Sequence, residues 1–76
     1  MDHKRGSNIS RRETEVLLLI AQEYSTKELA DLLNISTHTA NSHRKNLMSK
    51  MGARNTAGLV RRGFELNILN TNSNLI

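Results

Sequence analysis

With 76 residues the chain has room for one domain, and a chain this short buries only about 60% of the surface it exposes unfolded. It contains no cysteine, which excludes a disulfide framework and a thiolate metal site, and no apolar run approaches the roughly 18 residues that span a bilayer. The net charge is +4, with a pI near 10.1 and six of the seven acids in the first 31 residues, an asymmetry that argues for an anionic partner.

Proline is absent, the aromatics are Tyr24 and Phe64, and nothing alternates with period two, so the fold class is all-α. Residues 1–8 (MDHKRGSN) are polar and read as a flexible arm or linker. Ser10-Arg11-Arg12-Glu13 is a capping box, and Val16, Leu17, Leu19, Ile20 and Ala21 follow at helical spacing, placing helix one at about 11–22. Ser25-Thr26-Lys27-Glu28 is a second box, with Tyr24 and Leu29 set to pack as a staple. Leu29, Ala30, Leu32 and Leu33 then form the buried side of helix two, and Asn34 stops it.

Ser36 caps helix three, at about 37–51, with Ile35 and Ala40 as its staple. Its apolar positions Ala40, Leu47 and Met51 recur at spacings of seven and four, and Gly52 ends it. Asn55 caps helix four, whose apolar face is Leu59, Val60, Phe64 and Leu66. Residues 67–76 are rich in asparagine and read as a frayed tail after a domain at 9–66.

Between Leu32 and Phe64 there is no acid, while Arg44, Lys45, Lys50, Arg54, Arg61 and Arg62 are all basic. The turn between helices two and three is only about three residues long, which forces a steep crossing and makes the pair a helix-turn-helix. His38, Asn41, Ser42, Lys45 and Ser49 are left on the outer face of helix three. None is a large hydrophobe. Asn41 can pair bidentately with adenine, Lys45 can donate to guanine, and Ser42 can bond either base. The start of helix three offers N–H groups and a positive dipole end to a phosphate. Each residue taken singly is an ordinary solvated side chain; their convergence on one face of an acid-free segment points to duplex DNA.

His38, Ser42 and His43 are poorly placed for catalysis, because no acid lies near to orient either histidine. Histidines five apart also suit no metal on one helical face. No enzyme activity, metal or cofactor is expected, and His43 would make binding pH-dependent if half-buried.

The chain resembles the DNA-binding domain of LuxR/NarL-type bacterial transcription regulators, the GerE-like helix-turn-helix. The residues that carry the likeness are Ile9-Ser10-Arg11-Arg12-Glu13-Thr14-Glu15-Val16-Leu17, Ser25-Thr26-Lys27-Glu28-Leu29-Ala30, Leu33-Asn34-Ile35-Ser36, Thr39, His43-Arg44-Lys45-Asn46, Lys50-Met51-Gly52, and Asn55 with Leu59-Val60. The resemblance implies a four-helix bundle whose third helix lies in the major groove and whose fourth is a C-terminal dimerisation helix. By position it makes Asn41, Ser42 and Lys45 base-reading. Lys27, Ser36, Thr39, His43, Arg44, Lys50 and Arg54 fall at positions that support or make DNA-backbone contacts. Leu59, Arg62 and Gly63 take dimerisation positions.

Several residues depart from the family's pattern. Glu23 stands where glycine is usual, implying a turn of altered shape, Ala40 replaces a common valine, and Gly58 and Gly63 lie inside helix four. The expected partners are double-stranded DNA, a second copy held weakly and more firmly on DNA, and RNA polymerase, in the cytoplasm and away from membranes. The alternative is a helix-turn-helix that has lost DNA binding and docks on another protein. Family members usually carry a sensing domain for which these residues leave no room, so the chain reads as an effector domain or a small stand-alone regulator.

Overall fold

Each helix starts on a side-chain oxygen. In the computed structural model, which describes residues 9–70, Ser10 Oγ accepts from the Glu13 N–H at 3.0 Å, and Glu13 Oε1 accepts from the Ser10 N–H at 3.0 Å. Ser25 and Glu28 repeat this box at 3.1 and 2.8 Å. Ser36 accepts from Thr39 and Asn55 from Gly58, at 3.0 and 2.8 Å. These caps satisfy N–H groups that a helix start would otherwise leave unpaired. They open α1 (Arg11–Ala21), α2 (Thr26–Leu33), α3 (Thr37–Met51) and α4 (Thr56–Glu65), with no strand among the described residues.

All four helices also end in one way. Glu23, Asn34, Gly52 and Asn67 take left-handed φ values of 72°, 60°, 66° and 62°. The N–H of the next residue then reaches back five positions, Tyr24 to Leu19, Ile35 to Ala30, Ala53 to Met48 and Ile68 to Gly63, at 2.9–3.1 Å. This is the Schellman closure, and glycine suits its left-handed position best. One of the four is glycine. At Glu23 a long side chain sits on the left-handed backbone that glycine would take without strain.

The core is Val16, Leu17, Ile20, Leu29, Ala30, Ala40, Leu47, Met51, Leu59 and Leu69, all at most 5% exposed. α3 packs against each of the other helices, whereas α2 and α4 do not touch.

Three expectations need correcting. Leu32 is not on the buried side of α2 but 58% exposed. The tail does not fray at 67, because the Asn67 turn brings Leu69 back into the core at 2% exposure. Leu59 and Gly63, expected on a dimer face, lie inside the single chain: Leu59 is fully buried, and a Cβ on Gly63 would meet Leu69 Cδ1 at 2.6 Å and Leu17 Cδ2 at 3.3 Å. The expected arm at 1–8 and the rest of the tail, 71–76, lie outside the described residues.

The glycines of α4 should therefore respond to alanine with opposite signs in chemical denaturation. Gly63→Ala should cost about 1–3 kcal/mol, since overpacking against Leu69 outweighs the gain in helix propensity. Gly58→Ala meets only ordinary contacts, the nearest being Asn55 Oδ1 at 3.4 Å, and should gain about 0.5–1 kcal/mol. Glu23→Gly should gain about 1 kcal/mol by relieving the left-handed backbone.

Candidate nucleic-acid interface

Because Ala40, Leu47 and Met51 point inward with no exposure, the opposite side of α3 faces solvent. There the structure brings together His38, Asn41, Ser42, Lys45 and Ser49, all exposed. The turn that presents this face is held from within: Asn34 is left-handed, the Ile35 N–H bonds the Ala30 carbonyl at 2.9 Å, and Ile35 packs on the core. Leu29 and Ala30 of α2 and Ala40 of α3 are buried in one core, and the two helices are in contact.

At the start of α3, the Ser36 hydroxyl accepts from the Thr39 N–H and donates to Thr39 Oγ1 at 3.0 Å. Its proton is thereby committed, and the Thr39 hydroxyl is the group left to donate outward. Both residues are exposed, as is Lys27 in the first turn of α2. His43 is half-buried beside the core.

Two arginines, one in α3 and one in α4, are braced. Half-buried Arg44 donates from Nη2 to Thr56 Oγ1 at 2.9 Å, tying α3 to the first residue of α4. Arg62 Nε donates to the Met51 carbonyl at 3.0 Å, closing the end of α3, and its Nη1 lies 3.3 Å from Glu65 Oε1. Arg54 is exposed in the loop between α3 and α4. Beside it an open groove of about 530 Å³ is lined by Gly52, Ala53, Asn55, Gly58 and Arg61 among others.

Lys50 is the most constrained. Its Nζ donates to Glu13 Oε1 at 2.9 Å, so the carboxylate that caps α1 also anchors the last turn of α3. Glu13 is the buried charged residue of the described chain, 4% exposed. Burial pushes its carboxyl up, but the Ser10 N–H and the Lys50 ammonium together outweigh this and hold it below its usual value. Sequence reasoning missed the pairing. The capping box shows why residue 13 is a glutamate, but nothing local shows that it meets a residue 37 positions on. Thr56 as a brace for Arg44 was missed for the same reason.

The arrangement defines a class: a small helix-turn-helix domain that turns a polar, basic helix face to solvent over an apolar core. Residues 7–62 match GerE, the bacterial regulatory proteins of the luxR family. The chain belongs to that family, one of DNA-binding transcription regulators. It is 42% identical over 67 residues to the transcriptional regulatory protein MctR of Rhizobium johnstonii, a match covering 87% of this chain and 31% of that protein. It is 36% identical over 61 residues to the oxygen regulatory protein NreC of Staphylococcus aureus, covering 80% of this chain and 28% of that protein. The chain thus spans about three-tenths of the length of these relatives. Among the described residues no helix is long and apolar enough to cross a membrane, and no group of three or more His, Cys, Asp or Glu side chains is placed to hold a metal ion.

Glu13 sets a pH dependence whose sign follows from its lowered pKa. The folded chain holds the carboxyl more acidic than the unfolded chain does, so the stabilisation is complete above the ordinary carboxylate range and is lost as pH falls through and below it. Denaturation midpoints taken at neutral and acid pH should fall more steeply for the parent than for Glu13→Gln. Equal slopes would show that the pair contributes nothing to folding.

Proposed function

We propose that this domain binds double-stranded DNA in a sequence-specific manner for transcriptional control, with α3 in the major groove. The observation that carries the reading is the outward face of α3, where Asn41, Ser42 and Lys45 stand exposed and opposite the buried Ala40–Leu47–Met51 stripe. Family membership supports the DNA partner, and the name of the rhizobial relative, a transcriptional regulatory protein, supports the regulatory role.

In this reading the two groups of polar residues act differently. Lys27, Thr39, Arg44 and Arg54, with the N–H groups at the start of α3, attract and register the phosphates and carry no sequence choice. Asn41 reads adenine, Lys45 reads guanine O6/N7, and Ser42 serves either. Lys50 reaches a phosphate from its bond to Glu13, which fixes where the ammonium stands before DNA arrives. A second domain on a neighbouring half-site would double the contacts and set the spacing of the target.

The test is selection of bound duplexes from a random pool, with affinities for the recovered sequences measured at two salt concentrations. Enrichment of a short motif, with affinity falling steeply as salt rises, is the expected result. No duplex binding even at low salt would remove the reading and leave the protein-docking alternative. Asn41→Ala or Lys45→Ala should flatten preference at one base position, at a cost of about 1–3 kcal/mol on the preferred site. Lys50→Ala should weaken all duplexes alike and lower the salt slope by about one, compared under conditions where each variant is fully folded. A specificity change at Lys50 with none at Asn41 would mean that the reading face is misassigned.

A further inference from the structure

Four cations of the described residues are held by carboxylates. Arg12 stands 3.4 Å from Glu15, Lys50 2.9 Å from Glu13, Arg61 3.0 Å from Glu65, and Arg62 3.3 Å from the same Glu65. Arg44 is held differently. Its Nη2 donates to Thr56 Oγ1 at 2.9 Å, a neutral acceptor, and it enters no ion pair among the described residues. The bond fixes the guanidinium and leaves its charge uncompensated.

The surroundings sharpen the contrast. Thr56 is the first residue of α4, where the helix dipole is positive, and no acid lies in that first turn. Arg54 stands exposed two residues before it. Stability alone would be better served by Asp or Glu at position 56, which would pair with Arg44 and favour the start of α4. Threonine forgoes that gain. What it keeps is a half-buried arginine, still charged, tethered across α3 and α4.

We propose that Thr56 is a positioning residue for DNA binding, an inference that rests on the DNA reading: it holds the Arg44 guanidinium, charge intact, where it meets a backbone phosphate. An arginine loses rotamer freedom when it grips an anion, and a side chain already tied to a second helix loses less. One guanidinium N–H goes to Thr56, and the fork keeps the others for the phosphate oxygens. Thr56 acts only through Arg44. Because a phosphate carries no base identity, the gain is the same on every sequence.

The test is titration of a labelled, mixed-sequence duplex with the whole 76-residue chain across a range of salt, with denaturation midpoints checking that each variant is folded. Arg44→Ala should weaken binding and lower the salt slope by about one, because a phosphate contact is lost. Thr56→Val keeps the shape and removes the acceptor. It should weaken binding about two- to tenfold with the slope of the parent, since the contact still forms but from an untethered side chain. Thr56→Ser, which restores the oxygen, should bind like the parent. Added to Arg44→Ala, Thr56→Val should change nothing further. Parent-like affinity for Thr56→Val, an equal loss whether or not Arg44 is present, or a parental slope for Arg44→Ala would each overturn the role of Thr56 while leaving duplex binding intact. A parent that binds no duplex would instead remove the DNA reading, and this role with it.

Discussion

Ala40, Leu47 and Met51 have no exposure at all, and everything on the outside of α3 is positioned by that fact. A helix of this length can bury one stripe and present the opposite one, and the orientation of the second follows from how the first is gripped. α3 is gripped by all three other helices. Ala40, Leu47 and Met51 join one core with Leu17 of α1, Leu29 of α2 and Leu59 of α4. Polar changes on the outer face leave these contacts intact, whereas a change of volume beneath rotates or shifts the whole face. Reading and stability are thus separable on the outside of α3 and inseparable on its inside.

Glu13 joins two tasks usually given to different residues. Its carboxylate completes the cap of α1 and accepts the Lys50 ammonium, so two donors converge on one oxygen. An ion in a nearly closed site would be costly without such compensation. With it, the start of the first helix and the end of the third are held at a fixed separation. Lys50 remains partly open to solvent, its side chain 37% exposed, so the pair is anchored inside and reachable from outside.

How far the sequence is legible depends on the distance over which each signal acts. The caps at Ser10, Ser25, Ser36 and Asn55 and the stops at Asn34 and Gly52 are set by residues three or four apart, and they stand where the spacing places them. The outer face of α3 follows from one periodic stripe. Leu29, Leu32 and Leu33 are harder: all three fit one broad apolar side, and only the position of α3 decides that Leu32 lies beyond its edge. Glu23 gives no turn signal, since a long acidic side chain has no preference for a left-handed backbone. Gly63 suggests weakness or a meeting of chains until Leu69 is seen resting on it, and a leucine among asparagines gives no local sign that it returns to the core. The Glu13–Lys50 and Arg44–Thr56 pairs exist only once the helices are packed.

Leu69 places the physical edge of the domain beyond the edge of its family likeness. Residues 7–62 carry the match, yet the hydrophobic core closes only when the chain has passed α4, turned at Asn67 and laid Leu69 over Gly63. A chain cut just after α4 would keep all four helices, every cap and the whole outer face of α3. It would also have a bare glycine notch opening onto Leu17. The shortest autonomous unit is therefore defined by a plug and not by its last helix, and any boundary drawn from the recognisable motif alone falls short of it.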